Sequence, residues 1–374
     1  MPRKILVLFG TRPEVIKLAP VVRALRRHPE AFDPRMVSSG QHREMVQQAL
    51  DAFALKPDVT LDAMASAMSL GRLTARLFAD LDQLFDVEKP HWVLVQGDTT
   101  SAMVAAVSAF YRRIKVGHVE AGLRTYNRWS PFPEEINRTY IGQVADLHFA
   151  PTKGSADNLR RAGAPEQSIH VTGNTVVDAL LWVGEGLRDS MPPGLPESVP
   201  GFLQGNRLVL VTSHRRESFG KGLENICRAL LGTVERYSDA VVVYPVHLNP
   251  NVREPVHRLL GKHPRIKLLE PLGYLPLVWL MQRSYCIFTD SGGIQEEAPS
   301  LGKPVLIMRD TTERPEVVEA GCARLVGTDS GQILAGAREL FEDPEAYSAM
   351  ASVKNPFGDG RAAERIADIL LSQG

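Results

Sequence analysis

The feature of this sequence that most restricts its fold is the alternation of short apolar runs with longer helical patterns. Each apolar run is rich in Val, Ile and Leu, closes at a glycine or a polar turn, and precedes a stretch with helical spacing. Short, uninterrupted apolar strands joined by helices are typical of parallel sheets that are buried on both faces. The alternation therefore predicts an α/β fold with doubly wound sheets.

The alternation occurs in two series, which predict two sheets of the same kind. The first series places strands at Ile5 to Phe9, Arg35 to Ser38, Trp92 to Gln96, Lys115 to Val119, Leu147 to Ala150 and Ile169 to Thr172. The second places them at Leu208 to Thr212, Ala240 to Tyr244, Ile266 to Leu269, Cys286 to Thr289, Pro304 to Ile307 and Ala323 to Val326. We predict two Rossmann-like domains, residues 1–173 and 174–356, with the helical segment 357–374 packed back on the first. A length of 374 residues agrees with two domains.

Charge and hydropathy exclude several classes of partner. Lys plus Arg and Asp plus Glu each number 43, so the formal net charge is +0. We therefore predict no nucleic-acid partner, and any anion must be held locally. Uncharged runs stop short of the roughly 18 apolar residues of a membrane span, and the apolar start is too short for a signal peptide, so we predict a cytoplasmic protein without membrane insertion. The cysteines Cys227, Cys286 and Cys322 lack the spacing of a disulfide framework or a zinc site.

The clearest candidate for an anion site is the segment from Thr289 to Glu297, where a predicted strand runs into two glycines and then a helix. Gly292 and Gly293 let a ligand approach the backbone, and the amides at a helix start favour phosphate. Glu297, about a turn later, has the chemistry to accept the hydroxyls of a ribose. A nucleotide diphosphate therefore fits the segment, although a simple tight turn explains the same residues equally well.

Charged residues also follow the predicted strands of the first sheet, at the edge where open α/β sheets bind ligands. Arg12 and Lys17 follow the first strand, Asp98 and Glu120 follow two neighbouring strands, and Glu134 opens a helix. The carboxylates are candidates for acid and base catalysis on one substrate. The alternative is structural, with solvated cations, a helix cap for Asp98 and a first-turn acid for Glu134.

His214 follows a predicted strand of the second sheet and directly precedes Arg215 and Arg216. The neighbouring cations disfavour its protonated form, which keeps it useful as a proton acceptor near pH 7; a structural histidine is the alternative. No complete G-x-G-x-x-G fingerprint follows a strand, and no cluster of His, Cys and carboxylates has metal-site spacing. We therefore predict no cofactor and no required metal.

Several short segments, each weak alone, occur in a characteristic order. They are Gly10 to Glu14, Gln41 to Met45, Gly97 to Thr100, His118 to Thr125, Pro131 to Arg138, His214 to Glu217, Asp290 to Pro299 and Thr312 to Glu316. In this order they closely resemble the non-hydrolysing UDP-N-acetylglucosamine 2-epimerases of bacteria, nearly from end to end. The resemblance implies a two-domain glycosyltransferase-B-like fold with a cleft between the domains, and a homodimer. It also implies reversible conversion of UDP-N-acetylglucosamine to UDP-N-acetylmannosamine, which feeds envelope polysaccharides.

By position within these motifs, the resemblance assigns roles to individual residues. The acid and base residues would be Asp98, Glu120, Glu134 and His214. The UDP contacts would be Arg12, Lys17, Ser291, Gly292, Gly293, Glu297 and Arg314. Some bacterial members also bind a second UDP-N-acetylglucosamine as an activator, through residues that resemble Gln41, Arg72, Glu135, Arg215 and His247. Glu44 stands where activated relatives would carry an amide, so activation is a hypothesis that hyperbolic kinetics, unaffected by added substrate, would remove.

The chemistry of the sugar restricts the route. The hydrogen on C2 is not acidic, because no carbonyl adjoins that carbon, so inversion needs either transient oxidation or loss of the group on C1. The missing nicotinamide fingerprint favours elimination of UDP, a 2-acetamidoglucal intermediate and re-addition of UDP. The residues leave open which carboxylate removes the proton and which returns it. The alternatives are a glycosyltransferase of the same fold and a non-catalytic UDP-sugar sensor, which has no need of four proton carriers.

Overall fold

The computed structural model describes residues 1–40, 43–62, 68–188 and 190–373. The chain divides into two compact units, the first formed by Met1–Trp182 with Phe357–Gly374 and the second by Val183–Pro356. Each unit is built on a parallel sheet flanked by helices, which confirms the predicted fold class. Within the described ranges, every helix is too short or too polar to span a bilayer.

The first unit contains a parallel sheet of seven strands. In chain order its elements are β1 (Arg3–Phe9), α1 (Arg12–Arg26), β2 (Phe32–Ser38), α2 (Arg43–Ala52), β3 (Val59–Thr60), α3 (Leu70–Glu88), β4 (Trp92–Gln96), α4 (Thr100–Tyr111), β5 (Lys115–Val119), α5 (Glu134–Val144), β6 (Leu147–Ala150), α6 (Lys153–Arg161), β7 (Ile169–Val171) and α7 (Thr175–Gly186). The sheet order is β3-β2-β1-β4-β5-β6-β7. Every strand expected here from the sequence is present, and only β3 was missed, because a two-residue strand has no apolar run to mark it.

The second unit contains a parallel sheet of six strands. The chain continues with α8 (Ser198–Leu203), β8 (Arg207–Thr212), α9 (Lys221–Arg236), β9 (Ala240–Pro245), α10 (Pro250–Leu260), β10 (Ile266–Leu269), α11 (Tyr274–Arg283), β11 (Ser284–Thr289), α12 (Gly292–Glu297), β12 (Val305–Ile307), α13 (Pro315–Glu319), β13 (Ala323–Leu325), α14 (Ser330–Glu342), α15 (Pro344–Ala351) and α16 (Ala362–Ser372). The sheet order is β10-β9-β8-β11-β12-β13.

The strand order reverses once in each sheet. In the first sheet the reversal lies between β1 and β4, and in the second it lies between β8 and β11. At such a switch point the connections leave toward opposite faces, which opens a crevice at the carboxyl ends of the two strands. Each unit therefore has one preferred place for a ligand, and the candidate acid, base and UDP-binding residues follow these strands or their neighbours β5 and β12.

Helix α16 belongs to the first unit although it ends the described chain. Its first backbone amides, from Ala362 and Ala363, donate to the Asp178 carboxylate of α7 at 3.2 and 2.8 Å. Burial raises the pKa of Asp178 to about 6. Ile366 and Leu370 are buried on the helix, which packs against α1. The α16 helix therefore completes the core of the first unit.

Two buried histidines lie side by side on neighbouring strands of the first sheet. His118 of β5 is in register with His148 of β6. The Nε2 of His118 bonds the Gly97 carbonyl at 2.7 Å, whereas Nδ1 of both rings has no hydrogen-bond partner among the described residues. Burial lowers the pKa of His118 to about 3 and that of His148 to about 4. Both rings are therefore neutral in the folded protein at ordinary pH.

We expect the protein to lose stability as the pH falls from about 6.5 toward 4. In this range the two histidines become protonated in the unfolded chain but stay neutral in the folded protein, which favours unfolding. Each histidine contributes up to about 1.4 kcal/mol per pH unit in this window. Asp178 acts with the opposite sign, because its raised pKa adds stability as the pH falls.

The check is the midpoint of chemical unfolding at pH 7.5 and 5.5. His148→Gln should show a smaller loss between the two pH values than the wild type. His257→Gln, at an exposed position of α10, controls for the substitution itself. An unchanged pH dependence in His148→Gln would contradict the assignment.

Candidate active site

The turn between β1 and α1 is organised by a buried glutamate, Glu14. Its Oε2 accepts the backbone amides of Gly10 and Thr11 at 2.9 and 2.7 Å, and its Oε1 accepts the Thr99 hydroxyl at 2.6 Å. Burial raises the pKa of Glu14, and these hydrogen bonds oppose the rise. Glu14 therefore caps α1 and also ties the β1 turn to the β4 turn across the switch point.

Glu120 directly follows β5 and has the most constrained environment of the candidate acids. Its φ of 63° lies in the left-handed region, which is unfavourable for a side chain of this size. The residue is 8% exposed. Its carboxylate accepts hydrogen bonds from Lys17 of α1, from Gln96 at the end of β4 and, at 3.1 Å, from the Asn174 amide. Donors from three elements thus fix this carboxylate at the switch-point edge of the sheet.

Asp98 is held by residues of α5. The guanidinium of Arg138 donates to Asp98 Oδ2 through Nη2 and, at 3.0 Å, through Nε. The side-chain amide of Asn137 donates to the Asp98 carbonyl at 2.9 Å. A guanidinium that gives two hydrogen bonds to a carboxylate restricts its orientation strongly. Arg138 and Asn137 therefore join the start of α5 to the turn that follows β4.

Adjacent glutamates at the start of α5 have different surroundings. Glu135 is buried, and its carboxylate accepts Arg124 Nε at 2.8 Å, the Thr125 amide at 3.0 Å and Arg138 Nη1 at 3.0 Å. Burial raises the pKa of Glu135, but the hydrogen bonds from Arg124 and Thr125 outweigh this effect, so that the pKa is lowered overall. Glu134 is partly exposed, and no hydrogen bond or ion pair is formed by its carboxylate among the described residues. Glu135 therefore organises the preceding loop, while Glu134 is available to a ligand.

The second unit places His214 against a fully buried carboxylate. Asp290, which follows β11 and is 0% exposed, accepts the Ser213 hydroxyl at 3.0 Å and the amides of His214 and Arg215 at 2.8 Å each. Its other oxygen, Oδ1, lies 3.3 Å from Nδ1 of His214. The His214 side chain is 43% exposed, and its ring lies parallel to that of His247 at 5.8 Å. Asp290 thus fixes the loop that carries His214 and faces one nitrogen of its ring.

Two guanidinium groups lie next to the glycines that follow Asp290. A β-carbon on Gly292 would lie 3.6 Å from the guanidinium of Arg314 and 4.0 Å from that of Arg215. Arg314 is oriented by Glu296, whose Oε1 accepts its Nε at 2.6 Å. Because Gly292 has no side chain, a ligand can approach its backbone and the two guanidinium groups at the same time. This arrangement suits a phosphate group.

Glu297 is held at the end of α12. The residue is buried, and its Oε1 accepts the hydroxyl of Tyr274 at 2.9 Å. Burial raises the pKa of Tyr274 well above its ordinary value, so the phenol keeps its proton and remains a donor. The carboxylate of Glu297 is therefore fixed in orientation, as the proposed contact to a ribose would require.

The predicted site residues fall into two groups. Arg12, Lys17, Asp98, Glu120 and Glu134 lie at the switch-point edge of the first sheet, and His214, Ser291, Gly292, Gly293, Glu297 and Arg314 lie at that of the second. For the suggested activator, Gln41 is outside the described residues, Arg72 is exposed on α3, Glu135 is enclosed in the first unit, and Arg215 and His247 belong to the second. The roles assigned to all of these residues stay predictions.

Sequence reasoning overlooked the partners that orient the site residues. Arg138 on Asp98, Asn174 on Glu120 and Asp290 on His214 had no assigned role, although Arg138 and Asp290 lie in the motifs that were recognised. Asp290 carried a usable signal, since it directly follows a strand at the carboxyl edge.

Among the described residues, no group of three or more His, Cys, Asp or Glu is arranged to hold a metal ion.

Known proteins resemble this chain over nearly its whole length. The family model for UDP-N-acetylglucosamine 2-epimerase matches residues 23–371. The UDP-N-acetylglucosamine 2-epimerase of Salmonella typhimurium is 50% identical over 371 residues, which cover 99% of this chain and 98% of that protein. The enzyme of the same name from Bacillus subtilis is 48% identical over 98% of this chain and 95% of its own. The crystal structure of UDP-GlcNAc 2-epimerase from Neisseria meningitidis bound to UDP-GlcNAc is similar with a TM-score of 0.88 and 44% identity, over 99% of this chain and 100% of that one.

Proposed function

Because this chain belongs to the UDP-N-acetylglucosamine 2-epimerase family, we propose that it interconverts UDP-N-acetylglucosamine and UDP-N-acetylmannosamine by inverting C2 of the sugar. The observation that supports this most directly is the Glu120 carboxylate. It is buried, stands on a strained backbone at the end of β5, beside the switch point, and is fixed by three side-chain donors. Strain that is kept at such a place is typical of functional residues.

The reaction proceeds by elimination and re-addition. A carboxylate base takes the proton from C2, the electron pair of that bond forms the C1–C2 double bond, and the C1–O bond breaks to release UDP. An acid then returns a proton to the opposite face of C2, and UDP re-forms its bond to C1. We assign the proton transfers to Asp98, Glu120, Glu134 and His214. The fixed orientation of Asp98 and Glu120 supports their inclusion, because proton transfer depends on geometry.

The departing UDP is an anion that has to be retained until it re-adds. We assign its diphosphate to Arg12, Lys17, Arg314 and the backbone of Ser291, Gly292 and Gly293, and its ribose to Glu297. The two guanidinium groups near Gly292 support the diphosphate assignment. Lys17 has a second function in this scheme, since its ion pair with Glu120 positions the carboxylate.

The test is incubation with UDP-N-acetylglucosamine alone in deuterium oxide. We expect deuterium to appear on C2 of the sugar, because re-addition takes its proton from a group that exchanges with solvent. Nuclear magnetic resonance of the sugar measures this incorporation. A glycosyltransferase would leave C2 unlabelled and need an acceptor, a hydrolysing epimerase would release free N-acetylmannosamine with UDP, and a sensor would bind without exchange; any of these results would contradict the proposal.

The assembly and location of the protein are also proposals. We propose a homodimer in the cytoplasm that supplies envelope polysaccharide synthesis. Exposed aromatic side chains support self-association, since Phe110 and Tyr111 end α4 and Tyr140 lies on the neighbouring α5. A solution mass near the 41.2 kDa of one chain would contradict the homodimer.

A further inference from the structure

A pocket of about 530 Å³ lies at the end of the first sheet that is opposite to the candidate active-site residues. It is formed where β1, β4 and β5 begin and where α3 and α4 end. It is called the basic pocket below, because its basic lining residues are Arg3, Lys89, His91, Arg112, Arg113 and Lys115. A strand the length of β1 spans about 23 Å at roughly 3.3 Å per residue, so the basic pocket is separate from the site around Glu120.

The positive charge of the basic pocket is largely uncompensated. Among the described residues, Arg3, Lys89, Arg113 and Lys115 have no carboxylate within ion-pair distance. The one acidic residue of the lining, Asp86, is already paired with Arg112 at 2.5 Å. Four cations without an ion-pair partner around one cavity favour binding of an anion.

The geometry adds two hydrogen-bond donors to the charge. Nδ1 of His91 accepts the backbone amide of Lys4 at 3.1 Å, so the neutral ring carries its proton on Nε2 and can donate from that side. Nη1 of Arg3 is buried and has no hydrogen-bond partner among the described residues. A buried donor without an acceptor is destabilising, and a bound anion would supply the missing acceptor.

Helix ends alone do not explain this cluster. Cations are favoured at helix carboxyl ends, which accounts for Lys89 and Arg112 at the ends of α3 and α4. Arg3 and Lys115, however, begin the strands β1 and β5, where no such dipole attracts them. The convergence of strand and helix cations on one cavity therefore needs another explanation.

We propose that the basic pocket binds a soluble anion that carries at least two phosphate groups and is no larger than a mononucleotide. A volume of about 530 Å³ lies within the usual range of ligand pockets. The aromatic residues of the lining, Phe85 and Trp92, are buried, so their faces are not free to stack on a base. Recognition therefore rests on the phosphate groups, for which guanidinium and ammonium donors are well suited.

The experiment is calorimetric titration of the full-length protein with inorganic pyrophosphate. The pocket variant carries Lys89→Gln, Arg113→Gln and Lys115→Gln, all at exposed positions. The control variant carries Arg26→Gln, Lys56→Gln and Lys262→Gln, which remove the same charge at exposed positions elsewhere. Because pyrophosphate also resembles the diphosphate of UDP, the difference between these two variants isolates the basic pocket.

We expect the pocket variant to lose at least tenfold in pyrophosphate affinity at one site, and the control variant to bind as the wild type does. Orthophosphate should bind the wild type at least tenfold more weakly than pyrophosphate. Epimerisation by the pocket variant should stay within twofold of the wild type, with an unchanged thermal midpoint. Equal pyrophosphate binding by the two variants, or equal affinity for orthophosphate and pyrophosphate, would overturn the proposal.

The fluorescence of Trp92 provides a second measurement of binding at the basic pocket, because Nζ of Lys115 lies 5.3 Å from the centre of its ring. An anion that draws Lys115 away should change the fluorescence of Trp92. We expect pyrophosphate to alter the emission of the wild type and to lose this effect in Trp92→Phe. A change that persists undiminished in Trp92→Phe would place the bound anion elsewhere.

Discussion

Glu120→Gln should lower both epimerisation and deuterium incorporation at C2 by about 10²- to 10⁴-fold, which is the usual contribution of a positioned acid or base. The substitution keeps the shape of the side chain but removes its ability to exchange a proton. It also turns one acceptor into a donor that faces Lys17, Gln96 or Asn174, so one existing contact is lost. The loss of a buried contact costs about 1–3 kcal/mol of stability, which a thermal melt would report separately.

The measurements for Glu120→Gln are steady-state rates, solvent exchange at C2 and calorimetric binding of UDP. Binding of UDP should change much less than turnover, because the proposed UDP contacts other than Lys17 are untouched. Glu166→Gln is the matched control, since Glu166 is an exposed glutamate that also pairs with a cation, Arg160. Near wild-type exchange in Glu120→Gln, or an equal loss in both variants, would remove Glu120 from the proton transfers.

Asp290→Asn should lower kcat by at least about 10²-fold while the protein keeps its affinity for UDP. The amide oxygen can still accept from Ser213 and from the amides of His214 and Arg215. The new NH₂ group then faces Nδ1 of His214, where the wild type presents Oδ1 at 3.3 Å. Nδ1 must therefore accept, and the proton moves to Nε2, so the ring can no longer take a proton at Nε2. The equivalent change in serine protease triads costs about 10⁴-fold in kcat for the same reason.

A merely structural role of Asp290 would give a different result. Ser213→Ala removes one donor to the same carboxylate and leaves the ring contact in place, so it should cost less than tenfold in kcat. Asp290→Asn should also alter the pH profile of kcat, because the tautomer of His214 has changed. Equal losses in the two variants, or a parallel loss of UDP affinity, would mean that Asp290 only supports the loop.

The fold could be predicted from the sequence because buried parallel strands produce short apolar runs that end at turns. In the strand Trp92–Gln96 the first four residues are apolar and a turn follows, and the bounds of this strand and of Lys115–Val119 agree with the prediction. The switch points depend on strand order, which periodicity does not contain. The short β3 was missed for the related reason that two residues, Val59 and Thr60, cannot show a period.

The candidate site was predictable only in part. Strand ends indicate which residues reach the ligand-binding edge, and this was sufficient to select Asp98 and Glu120. The partners that orient them come from distant parts of the chain, since Lys17 is 103 positions from Glu120 and Arg138 is 40 from Asp98. Such pairs arise from tertiary packing, for which a single sequence has no local signal.

The position of α16 has a consequence for biosynthesis. On the ribosome, the strands and helices from Arg3 to Trp182 emerge first, whereas the helix that covers α1 and is capped by Asp178 is translated after the whole second unit. Until then the nascent first unit exposes the apolar surface that Ile366 and Leu370 later cover. The core of the unit that is synthesised first is therefore completed only after the second unit has been translated.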